Sequence, residues 1–357
     1  MQAYVGAVGL ILLLYQLPPV PPLPQPPFAE WLAGVRAEAI ARGIREATVD
    51  AALTGLEPVA TVIQRDRTQA EIVQTLDQYL KQRVTPKVVR TAQAMHRTHG
   101  AVLQKASEKY GVPPGILVAV WGLESNFGRF SGVRPTIATL ATLAYDPRRS
   151  ALFRKELFDA LTILDSGDVE PEALKGSWAG ALGQPQFMPS SFLLYAVDFD
   201  GDGRRDIWKS TPDVFGSIAN YLGAHGWEKG QTWGREVTIP DSLITRLPEV
   251  APMQTSGCLA RRQMTTPLPL AEWSKLGVRT AAGRALPSAG VDASLVMGDK
   301  RHFLVYPNYQ ALLEYNCVNA YGLSVGLLGD RAAAPGRATA PGPARSVKAA
   351  PKRVPRR

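Results

Sequence analysis

Residues 111–128 read G-V-P-P-G-I-L-V-A-V-W-G-L-E-S-N-F-G, and the reading of this stretch decides the fold. Pro113 and Pro114 suit the first turn of a helix, where a missing N–H leaves nothing unsatisfied. Residues 116–123 are apolar or small at every position, so this helix is expected to be buried nearly all round. A single carboxylate, Glu124, closes the run. Carboxyl groups seldom go inside unpaired, and desolvation disfavours the charged form, so the pKa of Glu124 is expected to rise. Two readings stay open at this point. Glu124 is either a general acid kept protonated near neutral pH or a structural carboxylate that caps or salt-bridges a core helix.

Helical patterns surround this stretch. Residues 28–55 carry Trp31, Leu32, Val35, Ala39 and Ile40 on one face. The pattern resumes at Thr68 with Ile72, Leu76, Tyr79 and Leu80, and after Thr85-Pro86 it runs from Val88 to about Glu108, with Gly111 as the stop. Residues 151–164 and 212–225 make two more helices, and 309–328 a last one. From Trp233 the texture changes, with β-like pieces at 236–239, 277–280, 293–297 and 302–306 between Pro/Gly turns. The fold class is therefore mainly α (α+β), with a small β-rich unit.

The net charge of +9 suggests an anionic partner until its distribution is read. Eight of the 40 Lys/Arg lie at or beyond Arg331, which leaves 32 against 31 acidic residues in the body. A nucleic-acid-binding core is thus not supported. Residues 1–27 carry no charged side chain: an apolar run at 3–14 of signal-peptide length precedes L-P-P-V-P-P-L-P-Q-P-P at 17–27, a stiff proline-rich linker. Export to the periplasm or cell envelope is expected, by a signal peptide or an uncleaved anchor, with no cysteine there to carry a lipid. Residues 331–357, rich in Ala, Pro, Gly and Arg, are expected to be disordered. The two cysteines, Cys258 and Cys317, have neither metal-site nor redox-motif spacing, and the sequence leaves open whether they pair.

Four constellations carry chemistry. Asp198, Asp200 and Asp202 stand in D-x-D-x-D-G spacing, which turns alternate oxygens inward around a hard cation. Lys209 occupies the usual twelfth position, so a calcium loop has to be longer, and a metal-free Asp/Gly turn is the alternative. Residues 176–191, G-S-W-A-G-A-L-G-Q-P-Q-F-M-P-S-S, mix amides with flat apolar surface, which suits either a sugar or tight helix packing. In Y-N-C-V-N-A-Y at 315–321, Tyr315 with Asn319 and Cys317 with Tyr321 share helix faces, as a polar core network or as a cleft wall. Arg148 and Arg149 are either a solvated loop or a clamp for carboxylates.

Taken together, E-S-N-F-G after an apolar helix, the 176–191 block, the acidic loop, A-N-Y-L-x-x-H-G-W at 219–227 and Y-N-x-x-x-x-Y at 315–321 resemble the B-type membrane-bound lytic murein transglycosylases of the lysozyme-like superfamily. The resemblance covers residues 28–331. It implies a lysozyme-like core with a flanking helical domain and a small β-rich domain. The boundaries are a leader at 1–27, a helical region at 28–110, a core at 111–232, a β-rich region at 233–308, a closing helix at 309–330 and a tail at 331–357. It further implies a lyase that cuts the β-1,4 bond between N-acetylmuramic acid and N-acetylglucosamine without water, leaving a 1,6-anhydro end.

In that resemblance Glu124 is acid and then base. Ser177, Gln186, Phe187, Met188, Tyr221, Tyr315, Asn316 and Tyr321 line the glycan cleft, and Arg148 and Arg149 lie toward the peptide-bearing side. No catalytic cofactor is implied. A structural calcium is, held by Asp198, Asp200, Asp202, the Arg204 carbonyl and Asp213. The implied partner is peptidoglycan glycan strands, met by a monomer with weak wall or membrane association through its termini. Cys317 and Val318 depart from the polar residues common inside the Tyr–Asn motif, the acidic loop is a residue longer than in some relatives, and the basic tail follows Leu328. A hydrolytic muramidase and a non-catalytic peptidoglycan-binding protein are the competing function classes.

Overall fold

The computed structural model describes residues 25–67 and 74–333. The expected leader at 1–24, the helix start at 68–73 and the tail from 334 lie outside the described residues.

The decisive stretch folds into the Pro114–Ser125 helix, with Pro114 in its first turn and Asn126 as a left-handed C-cap at φ 51°. Gly115 to Trp121 are buried, while Gly122, Leu123 and Glu124 are half-buried. The expectation of burial all round therefore fails at one end, where the helix emerges into a cavity. Pro86–Thr98, Gly100–Tyr110, Thr211–Ala224 and Asn319–Ala333 pack around it.

The Asn319–Ala333 crossing is the closest of these. A Cβ added to Gly115 would stand 2.3 Å from the Gly329 carbonyl oxygen, so the two backbones touch without side chains between them. A second helical layer pairs Thr136–Tyr145 with Ser150–Ser166, against which Phe28–Ala41, Glu46–Leu53, Ala60–Arg67 and Pro189–Tyr195 pack.

The β unit is one five-stranded antiparallel sheet in the spatial order Leu268–Pro269, Asp292–Met297, His302–Val305, Gly234–Thr238, Arg279–Thr280. Its register sets Leu295 opposite Leu304 and Arg235 opposite Leu304 on the other side. Side chains alternate between faces along a strand. Val296, Phe303 and Val305 accordingly join the main helical core. Leu295, Leu304, Ala293 and Val237 form a second core with Trp273, Leu243 and Leu247 from the helices Leu270–Lys275 and Asp241–Val250. Its two central strands, Asp292–Met297 and His302–Val305, are thus buried on both faces.

Three expected helices are each two. The 28–55 pattern breaks after Ala41, where Gly43 takes φ 91°, and the 88–108 pattern breaks at His99. The expected 309–328 helix ends at Tyr315, passes through extended Asn316 (φ −153°, ψ 112°) and restarts at Asn319. The i, i+4 pairings drawn across that segment do not exist. Cys317, within the break, is disulfide-bonded to Cys258 with a Cα–Cα distance of 6.4 Å, which fixes the interruption to the loop before Leu259–Arg262. At its far end the last helix continues to Ala333 instead of giving way to disorder at Arg331. Ala332 is buried, and the Arg331 carbonyl accepts a hydrogen bond from Gln93 Nε2 at 3.0 Å.

A backbone contact cannot yield as a flexible side chain does, so overpacking at Gly115 is expected to be destabilising by about 1–3 kcal/mol. Gly115→Ala should lower the melting temperature by several degrees. Gly34→Ala, at a helical glycine with open space around it, should hold or raise it. Equal melting temperatures for the two variants would show that the crossing does not set stability.

Candidate active site

Glu124 reaches a cavity of about 320 Å³ lined by Gln82, Arg83, Val88, Gly122, Leu123, Ser125, Asn126, Phe127 and Phe130. It is the one carboxylate among the described lining residues. The turn that presents it is unusual. Asn126, Phe127 and Gly128 all take positive φ, at 51°, 59° and 76°, two of them with side chains. Strain of this kind persists only where the surroundings over-determine it.

Here the bracing is explicit. Ser125 Oγ donates to the Trp121 carbonyl at 2.8 Å and accepts the Gly128 N–H at 3.0 Å. Trp121 Nε1 donates to Gln184 Oε1 at 2.6 Å, and Gln184 Nε2 donates to the Trp208 carbonyl at 2.8 Å. Gln184 is buried, so it ties the acid-bearing helix to the glycine-rich block rather than facing a sugar.

Desolvation pushes the Glu124 carboxyl up to about 7, against smaller pulls downward from the Tyr321 hydroxyl and the Arg83 charge. The residue keeps some surface toward the cavity, but the packing on its other sides is what removes water from the carboxyl. Tyr321 Oη is buried, approaches Glu124 and closes no hydrogen bond of normal geometry with any described group. Burial and the Glu124 charge together hold Tyr321 and Tyr315 well above the ordinary phenol range.

From Tyr321 a wall of aromatic rings runs through the molecule, buried except for half-buried Tyr315 and behind the residues that line the Glu124 cavity. Tyr315 stacks on Tyr321 at 6.4 Å, Tyr221 meets Tyr315 at 4.7 Å, and Phe187 lies 5.4 Å from Tyr221 and 5.9 Å from Tyr315. Tyr315 Oη donates to the Pro185 carbonyl at 2.7 Å, and Tyr221 Oη to the Glu314 carbonyl at 2.8 Å. The helix break at 316–318 is what lets Tyr315 and Tyr321 join one wall.

The other expected residues have mixed placements. Gln186 takes φ 55° and folds its amide back on the Gly183 carbonyl at 2.8 Å, and Met188 precedes the Pro189–Tyr195 helix. Ser177 Oγ accepts the amides of Ala179 and Ala181, holding the glycine-rich turn. Asn316 is exposed. Arg148 is bound by Asp146 through Nε at 3.1 Å and Nη2 at 2.9 Å, and neither Arg148 nor Arg149 lines the Glu124 cavity. Asn319 belongs to the core, accepting from Tyr309 Oη at 3.1 Å and donating to the Ala260 carbonyl at 2.8 Å.

In the acidic loop the carboxylates of Asp198, Asp200 and Asp202 come within 4.8 Å of one another, all exposed. Gly201 and Gly203 supply the turns at φ 80° and 90°. Three clustered hard oxygen donors fit calcium-type coordination. Asp213 stands outside this trio: fully buried, it accepts the amides of Phe199 at 2.7 Å and Asp206 at 2.8 Å and so braces the loop from below. Burial, with a smaller push from Asp200, raises its carboxyl to about 6 against those amides. The Arg204 amide donates to Asp202 Oδ1 at 2.9 Å.

Sequence reasoning missed Arg83, Gln82, Phe127 and Phe130 as cavity residues. Phe127 and Phe130 sit beside E-S-N-F-G and were within reach of it. Gln82 and Arg83 come from the Leu76–Arg83 helix and carry no local signal.

A mainly helical core with one raised carboxyl under a tyrosine wall, flanked by a small sheet, is a lysozyme-like glycan-cleaving architecture. The chain belongs to the transglycosylase SLT domain family, whose model it matches over residues 27–330, in its B-type lytic murein branch. It is 43% identical to membrane-bound lytic murein transglycosylase B of Escherichia coli K12 over 153 residues, which is 43% of this chain and 42% of that protein. The match thus spans less than half of this curated relative. SltB3 of Pseudomonas aeruginosa, solved in complex with NAG-anhNAM-pentapeptide, superposes with a TM-score of 0.78 at 42% identity, over 85% of this chain and 78% of that one. Slt35 of Escherichia coli, solved in complex with calcium, gives a TM-score of 0.70 at 29% identity, over 86% and 93%.

The raised carboxyl has a signed consequence for stability. Between the unfolded value of 4.5 and about 7, the folded chain holds a proton that the unfolded chain has lost, so stability falls as pH rises through that window. The accumulated loss is about 3 kcal/mol above pH 7. Glu124→Gln should match the wild type near pH 4 and exceed its melting temperature progressively toward pH 8. A gap that does not change with pH would contradict the raised pKa.

Proposed function

We propose that this chain is a lytic transglycosylase that cuts the N-acetylmuramic acid–β-1,4–N-acetylglucosamine bond of peptidoglycan without water. The observation that carries this reading is the lone carboxyl in the cavity, raised to about 7 with no second carboxylate among the described lining residues. Hydrolytic glycosidases flank the bond with two carboxyl groups, one of them a nucleophile or a water-activating base. A site with one suits a reaction whose nucleophile comes from the substrate.

Protonated Glu124 gives its proton to the glycosidic oxygen as the C1–O bond breaks, and the N-acetylglucosamine end leaves as an alcohol. The muramic acid C6 oxygen then bonds to C1, and the Glu124 carboxylate takes up the proton that this hydroxyl loses. Atoms balance: one glycosidic bond is lost, one internal 1,6-anhydro bond is gained, and the carboxyl returns to its starting form. A pKa near the working pH serves both roles of such a group. Tyr321, close to the carboxyl, is a neutral donor that favours the ionised form midway through the cycle. Half-buried Tyr315, backed by the buried rings of Tyr221 and Phe187, supplies flat apolar surface near that centre. A complex of SltB3 with an anhydro-sugar product supports the same outcome.

The calcium complex of Slt35 and the Asp198–Asp200–Asp202 trio support a structural cation in the acidic loop, with Asp213 holding the loop beneath it. When bound it would offset most of the charge of the three gathered carboxylates, in a structural role. The name of the curated relative supports action at the cell envelope. No helix of the described residues is long and apolar enough to cross a membrane. We place the enzyme there as a monomer acting on glycan strands.

Digestion of purified sacculi should release muropeptides one water lighter than muramidase products, and Glu124→Gln should lower that release by about 10³-fold or more. Products carrying the added water would assign a muramidase instead. Millimolar calcium should raise the melting temperature of the wild type. It should leave Asp198→Ala/Asp202→Ala unmoved; an equal rise in both would remove the cation from the loop.

A further inference from the structure

Among the described residues that line the cavity, one cation faces the acid, and nothing in the reaction uses it. Arg83 closes the Leu76–Arg83 helix, lines the Glu124 cavity and is exposed toward it. Its guanidinium lies over the Tyr79 ring at 5.3 Å, a contact that holds it in place while leaving its N–H fork open. Among the described residues it makes no hydrogen bond or ion pair. The two arginines expected for the peptide-bearing side, Arg148 and Arg149, are differently placed: neither lines this cavity, and Asp146 binds Arg148 through two side-chain nitrogens.

The charge in the cavity follows from these placements. Gln82, Phe127 and Phe130 are neutral, and Glu124 must be protonated at the moment it acts as an acid. The loaded site therefore holds one uncompensated positive charge beside the reacting bond. A cavity of that sign is complementary to a ligand carrying a negative group near the same bond.

We propose that Arg83 is a specificity-determining residue that binds a carboxylate on the substituent of the muramic acid residue, so that the enzyme selects strands bearing that charge. This rests on the transglycosylase reading and adds to it the chemistry by which the cleft chooses among strands. A guanidinium fork pairs with a carboxylate through two N–H···O bonds, and an ammonium provides the charge without the fork. The carboxylate belongs either to the stem peptide or, in a peptide-stripped strand, to the lactyl ether of the sugar.

The test measures kcat/KM on three soluble glycan preparations: strands with native stems, strands whose stem carboxylates have been amidated, and peptide-stripped strands with the lactyl carboxylate open. Binding of a disaccharide-pentapeptide and its amidated form to Glu124→Gln, with and without Arg83→Gln, is measured beside it by calorimetry. The wild type should favour native over amidated strands by about 10-fold, one good charge-assisted pair. The preference should shrink with added salt, collapse toward unity in Arg83→Gln and return in part in Arg83→Lys. Peptide-stripped strands cleaved as well as native ones show that the open lactyl carboxylate also fills the site, and stripped strands cleaved as poorly as amidated ones locate the carboxylate on the stem; either supports the proposal. Full discrimination in Arg83→Gln overturns it. If the wild type lyses no preparation but calorimetry shows the Arg83-dependent preference, the transglycosylase reading fails and the carboxylate site stands. If neither lysis nor that preference is seen, both fail.

Discussion

The structure depends on keeping water away from one carboxyl without burying it completely. Glu124 stands at the last turn of a helix whose preceding turns are wholly enclosed, and the enclosure raises its pKa to about 7. Such a helix must be packed on every side, and the Gly115–Gly329 crossing is the tightest part of that packing. At its other end the chain leaves the helix sharply. Three consecutive left-handed residues follow, held by Ser125, Gln184 and the Trp121 indole. The fold thus stores local strain beside its reactive group and secures it with buried hydrogen bonds.

Around that point the labour divides by burial. Buried polar side chains in the glycine-rich block and beneath the acidic loop, Gln184 and Asp213, are spent on backbone groups and make the frame. The aromatic wall is buried as well, apart from half-buried Tyr315, and two of its phenols, Tyr221 and Tyr315, are tied to carbonyls of other segments. The disulfide between Cys258 and Cys317 sits behind this wall, at the helix break that gives Tyr315 and Tyr321 their common direction. A continuous helix over the same residues would turn these rings away from each other, since positions six apart do not share a helix face.

Much of this was legible in the sequence, for reasons that can be located. The acid-bearing helix announced itself because eight apolar or small residues in a row admit few other readings, and the acidic loop because its spacing is a coordination pattern. The strands showed through β-like runs between turn residues. What stayed hidden was tertiary. Nothing local in H-R-T-H-G or in E-Y-N-C-V-N marks a helix break, and the second break is set by a partner cysteine far along the chain. The amides of the 176–191 block suited a sugar or tight packing equally, and for Gln184 its burial against Trp121 and Trp208 decides for packing. Arg83 is brought to the acid by a helix crossing that no motif encodes.

The central claim is a carboxyl held protonated near neutral pH in a site where it works alone. It is tested most directly by ¹³C NMR of the protein labelled at glutamate side-chain carboxyls, titrated from pH 3 to pH 9, with Glu124→Gln used to assign the Glu124 resonance. The account predicts one resonance with a midpoint near 7 that is missing from the variant. A Glu124 midpoint near 4.5, with the ordinary glutamates, would contradict it.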